Sequence, residues 1–363
     1  MQANKETVIS RIKDEIDKID KKTNTIYFFV IDTKGNPSGS LSYIYNLALI
    51  LSKNGYNIGM LYQEDEEFVG VKDWLGDEFA NLPHYDITSG DVSVSASDIL
   101  FIPELFSNLM IQTKQLPCKR IVILQNYDFV LEQMPMASQW GDFGIMEAIV
   151  NTEANEELIK DIFPYVKTTV IDPYIENYFG ETQEPKKMII NIISKNQTDI
   201  NKIIKPFYWK YPMYKWVSFR DLRGFPKKDY AQLLREAAIT IWVDDDSNFG
   251  YSALEAIKSG AVVIAKVPKQ IQSWMKNEDK SLNDSCIWFD SYQMLHKIIA
   301  SVVRAWITDN IPSELQKQAS IVNEKYTVNK TTEQILTYIS GVLENRKTEM
   351  ESLINYVKNE EKE

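Results

Sequence analysis

The sequence predicts two doubly wound, Rossmann-like α/β domains with added helices at both ends of the chain. Three observations lead to this fold class. Short apolar runs alternate with helical patterns, which is typical of a parallel sheet covered by helices on both faces. The alternation stops at a polar segment with two prolines, residues 172–187, and then restarts. A chain of 363 residues with 44% hydrophobic side chains can form two such domains.

The N-terminal segment, residues 1–21, is predicted to be an amphipathic helix. Its isoleucines recur at alternating three- and four-residue steps, at Ile9, Ile12, Ile16 and Ile19. They therefore share one helical face, which we expect to pack on the adjoining domain. A homodimer through the terminal helices is the alternative, and the heptad pattern is short for a coiled coil.

The first domain is predicted to span residues 22–172. Its first buried strand, 25–31, leads into a turn-rich loop containing Gly39 and Ser40 and then into an apolar helix. Further strands are predicted at 56–61, 98–102, 120–124, 145–150 and 168–171. Glycines in such a loop let the backbone approach a ligand where the following helix presents its N-terminus. A plain surface turn is the alternative for this loop.

The second domain is predicted to span residues 173–330, followed by C-terminal helices and a charged tail at 331–363. Its strands are predicted at 188–193, 216–219, 239–243, 261–265 and 286–289. Ligands bind such sheets beyond the carboxyl ends of their strands. We therefore expect the two domains to face each other across a cleft lined by strand-end loops.

Composition excludes several classes of protein. The formal net charge of −11 disfavours generic attraction to nucleic acid or anionic lipid. Two cysteines, Cys118 and Cys286, and two histidines form no metal-ligand spacing and no disulfide framework, so we expect no metal and no cofactor. The charged N-terminus and the absence of long apolar runs predict neither a secretory signal nor a membrane span. A reducing cytoplasm is the expected setting.

The segment 238–265, AITIWVDDDSNFGYSALEAIKSGAVVIA, predicts a phosphate-binding site. It shows a strand, a polar loop, a helix carrying Glu255 and a second strand. A helix that begins just after a buried parallel strand directs unpaired N–H groups and the positive end of its dipole at whatever lies beyond the sheet. The candidate ligand-binding residues of the loop are Ser247, Asn248, Phe249, Gly250 and Tyr251.

Residues 248–265 resemble the donor-binding signature of retaining glycosyltransferases of the GT-B fold, the group often called family 4. In that family a Gly-Phe-Gly loop precedes a helix beginning with Ala-Leu-Glu-Ala. The resemblance implies metal-independent transfer of a sugar, with retention, from a nucleotide diphosphate sugar to an acceptor hydroxyl. It places the donor on the second domain and the acceptor on the first, and one late helix would cross back to the first domain.

The resemblance also assigns roles to individual residues. Glu255 would grip the ribose of the nucleotide. The family's first glutamate, which contacts the transferred sugar, has Ser247 in its place, and Asp246 substitutes for it only if the loop shifts by one residue. The family's basic residues follow the first strand of the second domain, where Lys195 is the candidate. Rivals for this role stand at the end of the next strand, at Arg220 and Arg223.

Three further patterns leave alternatives open. Asn126, in the run Gln-Asn-Tyr-Asp at a strand end, is a candidate sugar contact or an ordinary turn residue. The acidic run 244–246 is interpreted as a solvated, helix-capping loop rather than a metal site. The stretch 205–216, KPFYWKYPMYKW, is interpreted as a core helix end and the loop that follows it, although its aromatic and lysine residues suit a membrane interface or DNA. The acceptor stays open as a glycan, a small molecule or DNA. A non-catalytic binding or assembly protein is the alternative function, because the family's first glutamate is replaced by Ser247.

Overall fold

The structure, a computed structural model, describes residues 2–19, 23–63, 68–90, 92–180, 184–244, 249–310 and 322–359. The chain divides into two compact units. Unit 1 comprises Met1–Asp172 and Thr332–Glu363, and unit 2 comprises Pro173–Thr331. Each unit has its own parallel sheet packed by helices, which confirms the predicted α/β fold class.

Unit 1 contains a seven-stranded parallel sheet in the order β3-β2-β1-β4-β5-β6-β7. Its strands are β1 Thr25–Phe29, β2 Asn57–Tyr62, β3 His84–Asp86, β4 Ile99–Pro103, β5 Lys119–Leu124, β6 Glu147–Val150 and β7 Lys167–Val170. The central strand β4 is buried along its whole length, as expected for a sheet covered on both faces. The strand order reverses between β1 and β4, and open α/β sheets bind ligands at such a switch point.

The helices of unit 1 before the second sheet are α1 Gln2–Asp17, α2 Gly39–Lys53, α3 Asp77–Ala80, α4 Ser107–Gln112, α5 Tyr127–Gln133 and α6 Glu153–Ile162. The helix α2 is apolar nearly all round, and its residues from Leu41 to Leu51 are buried. The amphipathic helix α1 contacts unit 1 through Glu15, whose Oε2 accepts the Ser97 N–H at 3.2 Å. This contact is of the kind expected for a helix lying on the domain surface.

Unit 2 contains a five-stranded parallel sheet in the order β12-β11-β10-β8-β9. Its strands are β8 Lys187–Ser194, β9 Ser218–Asp221, β10 Ala237–Val243, β11 Val262–Lys266 and β12 Ile287–Phe289. Its helices are α7 Gln197–Lys210, α8 Lys227–Glu236, α9 Tyr251–Lys258 and α10 Tyr292–Ile307. The switch point of this sheet lies between β8 and β10.

The long C-terminal helix α11, Val328–Asn359, returns the chain to unit 1. Two contacts fix it there. Gln334 accepts the backbone N–H of Asp172 at 2.9 Å, and the Arg346 guanidinium donates to the carbonyls of Ala96 and Pro117 at 3.1 and 2.6 Å. Among the described residues, no helix has the length and apolar character needed to cross a bilayer.

Three local predictions differ from the structure. The short edge strand β3 was not predicted because it has only three residues and two of them are polar. The strand predicted at 216–219 begins at Ser218, since Trp216 is exposed. The segment predicted as a linker contributes to the core of unit 2, because Ile175 and Phe179 are fully buried there. A polar segment with prolines can carry two core side chains that its average composition conceals.

Candidate functional site

The loop between β10 and α9 ends in a tightly fixed backbone. Gly250 is the N-cap of α9 and has a left-handed φ of 83°. A Cβ on Gly250 would lie 2.9 Å from Cζ2 of Trp274. The indole Nε1 of Trp274 donates to the carbonyl of the preceding Phe249 at 2.8 Å, and Phe249 is itself buried. The N-terminus of α9, which begins at Tyr251, is therefore held in one position by the aromatic core of unit 2.

The middle of the same loop carries several of the predicted site residues. Asp246, Ser247 and Asn248 lie outside the described residues. The first residue of the acidic run, Asp244, is described, and its Oδ1 lies 3.1 Å from Nζ of Lys195. The predicted basic residue at the end of β8 and the acidic residue at the end of β10 therefore form an ion pair.

Glu255 lies in the second turn of α9 and is 6% exposed. Burial raises the pKa of its carboxyl to about 8, the Lys227 ammonium lowers this pKa, and the Glu176 carboxylate raises it. Lys227 is itself paired with Glu176. Among the described residues, none donates a hydrogen bond to the Glu255 carboxylate. A buried carboxyl can exchange hydrogen bonds with the hydroxyl groups of a ligand in either protonation state.

A buried lysine, Lys258, is fixed one turn further along α9. Its Nζ donates to the carbonyl of Ile175 at 2.7 Å and lies 3.3 Å from Oδ1 of Asn177. Both partners lie in the segment predicted as a linker. These contacts join α9 to the chain entering unit 2, so the helix that carries Glu255 is anchored on its inner face.

The raised pKa of Glu255 predicts that the protein loses stability as the pH rises. Between about pH 5 and pH 8 the native carboxyl keeps a proton that the unfolded chain has lost, so the free energy of unfolding falls with pH. For one such group the slope reaches about 1.4 kcal/mol per pH unit. We expect Glu255→Gln to flatten the profile obtained by urea denaturation at a series of pH values. Glu236→Gln, in the same unit, should keep the slope, and an equal slope in both variants would contradict this prediction.

A polar cavity of about 260 Å³ lies at the carboxyl ends of β8, β10 and β11 and at the start of α7. Its charged lining residues are Lys195, Lys202, Lys266, Asp199 and Asp244. The lysines outnumber the acidic residues, and the N-terminus of a long helix faces the same end of the sheet. Both features favour an anionic ligand.

Two lysines of this cavity contact neighbouring side chains. Nζ of Lys202 lies 3.0 Å from Oδ1 of Asp199. Lys202 and Lys266 both lie over the ring of Tyr292, with Nζ 5.1 and 5.5 Å from the ring centroid. The lysine ammonium groups therefore lie at the switch point of the sheet, where those of Lys195 and Lys202 are paired with acidic residues of the same cavity.

The rival basic residues do not line this cavity. Arg220 pairs with Glu236 at 3.2 Å, and Arg223 pairs with Asp221 in its own turn. Both belong to β9 or the turn after it, at the edge of the sheet. Of the three predicted candidates, the structure brings only Lys195 to the switch point.

A hydrogen bond joins the two segments of unit 1 that carry predicted site residues. Gln125 follows β5, and its Nε2 donates to the carbonyl of Ser40, in the first turn of α2, at 3.1 Å. Gly39 begins this helix, whose N-cap Ser38 accepts the N–H of Leu41. The end of β5 and the start of α2 therefore meet at the switch point of this sheet.

Asn126 has the side-chain contact expected of a turn residue. Its Oδ1 accepts the N–H of Asp128 at 2.9 Å and caps α5. The alternative interpretation, that Asn126 is an ordinary turn residue at the end of a strand, therefore accounts for this contact of Oδ1. A contact between Asn126 and a sugar stays a prediction.

Glu104 is a candidate functional residue that sequence reasoning missed. It follows β4 directly, is 2% exposed, and accepts the N–H groups of Gln125 and Asn126 on Oε1 at 3.1 and 2.7 Å. Burial raises the pKa of its carboxyl to about 7, while the N–H donors lower this pKa. The available signal was a carboxylic acid placed immediately after an apolar strand at the ligand-binding end of the sheet.

Comparison with known proteins identifies the fold. No protein-family model matches the chain. A curated alpha-1,6-glucosyltransferase from Actinobacillus pleuropneumoniae is 24% identical over 220 residues, which are 59% of this chain and 64% of the relative. The match therefore spans less than two thirds of that relative's length.

Solved structures match most of the chain. A glycosyltransferase from Rickettsia africae superposes with a TM-score of 0.62 and 13% identity, covering 90% of this chain and 100% of that one. An alpha-glucosyltransferase solved with UDP-glucose and abasic DNA gives a TM-score of 0.58 and 11% identity, covering 87% and 99%. The chain has the GT-B fold.

In this GT-B chain, each unit presents its candidate residues at the switch point of its own sheet. Unit 2 places three lysines at the ends of β8, β10 and β11, which suits a phosphate group, and α9 begins after the loop that follows β10. Unit 1 places Glu104, Gln125 and Ser40 at the ends of β4 and β5 and the start of α2, which suits hydroxyl groups. The candidate residues of unit 2 therefore suit an anionic group, and those of unit 1 suit neutral hydroxyl groups.

Proposed function

We propose that the chain is a glycosyltransferase that moves a sugar from a nucleotide diphosphate sugar to an acceptor hydroxyl. The observation that carries this proposal is in unit 2, where α9 begins at the fixed Gly250 and places the buried Glu255 in its second turn. The GT-B fold and the partial match to a glucosyltransferase support it. Retention of configuration, catalysis without a metal ion and a cytoplasmic location belong to the same proposal.

In the proposed reaction, the bond between the sugar's anomeric carbon and the diphosphate oxygen breaks, and a bond from that carbon to the acceptor oxygen forms. The acceptor proton goes to the leaving diphosphate. Glu255 accepts hydrogen bonds from the ribose hydroxyls, while Lys195 and the N–H groups at the start of α9 stabilise the charge that grows on the diphosphate. Positioning and electrostatic stabilisation supply the rate enhancement.

The nucleotide site can be tested by thermal stability against UDP, GDP, ADP, CMP, dTDP and their sugars, with and without EDTA. A ligand at about 100 times its dissociation constant adds roughly 2.7 kcal/mol of stability. We expect one base to give a shift that EDTA does not remove. A shift that requires a divalent metal would overturn the metal-independent part of the proposal.

We expect Lys195→Ala to weaken binding of the nucleoside diphosphate that gives the thermal shift by about tenfold. Binding of the nucleoside alone should weaken much less, because the lysine contacts only the phosphates. Binding is measured by calorimetry. Lys215→Ala, which changes an exposed lysine outside the cavity, is the matched control. Equal losses for diphosphate and nucleoside would place Lys195 outside the phosphate site.

Turnover separates the enzyme from the alternative of a non-catalytic GT-B protein. The measurement is release of the free nucleotide diphosphate from the matching nucleotide sugar, with a panel of glycans and small alcohols as acceptors. Transfer to one of them supports the proposal. Nucleotide-sugar binding without transfer or hydrolysis would favour the binding protein.

A second candidate function is sugar transfer to DNA. One observation favours it: Trp209, near the end of α7, and Trp216, in the loop that follows, are 77% and 55% exposed. Exposed aromatic rings among lysines stack on bases. The test is incorporation of labelled sugar into DNA that carries hydroxymethylated bases, and Trp209→Ala should lower it.

A further inference from the structure

A small cavity of about 30 Å³ lies at the switch point of the unit 1 sheet. It is formed by the carboxyl ends of β1, β4 and β5 together with the start of α2. Its polar lining residues are Ser38, Ser40, Glu104 and Gln125. The rest of the lining is apolar and includes Leu41, Ile44 and Phe106. The cavity reaches the surface beside Ile31, whose side chain is exposed.

The two carboxyl oxygens of Glu104 have different environments. Oε1 accepts the N–H groups of Gln125 and Asn126 and so fixes the turn after β5. Oε2 is buried and has no hydrogen-bond partner among the described residues. The amide Nε2 of Gln125 already donates to the carbonyl of Ser40. A buried polar oxygen without a partner in the chain is costly, so Oε2 is available to a water molecule or to a hydroxyl group of a ligand that displaces it.

The lining and size of the cavity indicate what that partner can be. A volume of about 30 Å³ is large enough to hold one small polar group, such as a hydroxyl or hydroxymethyl group. The apolar side chains of Leu41 and Ile44 suit the CH₂ of a hydroxymethyl group, and Oε2 of Glu104 suits its hydroxyl.

We propose that Glu104 binds one hydroxyl group of a carbohydrate through Oε2, while its Oε1 holds the turn after β5. The inference rests on the proposed sugar transfer for the identity of the ligand. That hydroxyl belongs either to the transferred sugar or to the acceptor, and the two sources offer the same chemistry. The ionised carboxyl accepts a hydrogen bond from the hydroxyl through Oε2, which the amide nitrogen of a glutamine cannot do.

The variant that tests this is Glu104→Gln. The amide oxygen can still accept the N–H groups of Gln125 and Asn126, so the turn keeps its contacts while Oε2 is replaced by an NH₂ group. Glu156→Gln is the control, since Glu156 lies in the same unit and hydrogen-bonds Thr168 outside this cavity. Urea denaturation checks that both variants fold.

The first readout needs no turnover. Thermal stability is measured with methyl α-glucoside and glycerol at high concentration, from pH 6 to pH 8. We expect a sugar-dependent shift that grows from pH 6 to pH 8 in the wild type and in Glu156→Gln, as the Glu104 carboxyl ionises. In Glu104→Gln the shift should be severalfold smaller and should not vary with pH. If nucleotide sugars give no turnover and this shift is present, the proposed function fails and the hydroxyl site stands.

The second readout compares deoxy analogues of donor and acceptor, one hydroxyl at a time. We expect one analogue to lose about tenfold in kcat/KM with the wild type and almost nothing further with Glu104→Gln. A donor analogue identifies the transferred sugar as the ligand, and an acceptor analogue identifies the acceptor. If every analogue loses equally with both proteins and the sugar-dependent shift is unchanged in Glu104→Gln, the inference is wrong.

Discussion

Gly250→Ala should destabilise the protein by about 2–4 kcal/mol and remove nucleotide binding. Gly250 has a φ of 83°, where an L-residue costs about 1–2 kcal/mol. The added Cβ would also lie 2.9 Å from the Trp274 ring and 3.3 Å from Cε of Met275, both buried. Crowding of this kind in a packed core costs typically 1–3 kcal/mol. Urea denaturation measures the loss of stability, and the thermal shift with the matching nucleotide measures the loss of binding.

The matched control is Gly224→Ala in the same unit. Gly224 has a φ of 76°, and no atom lies within 4 Å of the Cβ that alanine would add. This variant therefore reports the backbone strain alone, and nucleotide binding should survive. If Gly250→Ala were as mild as Gly224→Ala, the Trp274 ring would be free to move away, and the start of α9 would not be held as tightly as its contacts indicate.

The fold and the β10–α9 segment were predictable because their signals are local. Parallel strands buried on both faces appear as short apolar runs, and the run before the acidic residues is the fully buried β10. Phe249, Gly250 and Glu255 follow in an order that marks the start of a helix. Each of these features can be recognised within a few residues of sequence, without knowledge of the partners.

The order of the strands could not be predicted from such local signals, and it decides which basic residue lines the cavity. Lys195 follows β8, which pairs with β10, whereas Arg220 lies on β9 at the edge of the sheet. Both residues are basic and both stand near a strand end. Lys195 lies beside the end of β10 only because β8 and β10 are neighbouring strands, and there it pairs with Asp244 in the lining of the cavity.

The role of Glu104 was hidden for a similar reason. Its partners, Gln125 and Asn126, are 21 and 22 residues further along the chain and meet it only because β4 and β5 are neighbours. In the sequence it is one acidic residue among 51. Only the folded sheet shows that Glu104 is buried, with Oε1 hydrogen-bonded and Oε2 without a partner among the described residues.

Glu255→Ala should lower the affinity for the nucleotide that binds the wild type by about a hundredfold or more. The kcat/KM for the corresponding nucleotide sugar should fall by a similar factor. Leaving a buried hydrogen-bonding group without its partner costs about 1–3 kcal/mol, and two ribose hydroxyls would lose theirs. About 2.7 kcal/mol corresponds to a hundredfold. The stability of the variant should be preserved or raised near pH 8, because a buried carboxyl that resists ionisation is removed.

A cycle with 2′-deoxy and 3′-deoxy nucleotides tests the contact itself. With the wild type, removing the hydroxyl that Glu255 holds should weaken binding by about tenfold or more, whereas with Glu255→Ala the same removal should have almost no effect. Glu236→Ala, on a neighbouring helix of unit 2, should respond like the wild type. If the deoxy nucleotides lost the same affinity with both proteins, Glu255 would not touch the ribose. Its burial would then be a feature of the α9 packing, and the lysine cavity at β8 would have to carry nucleotide binding alone.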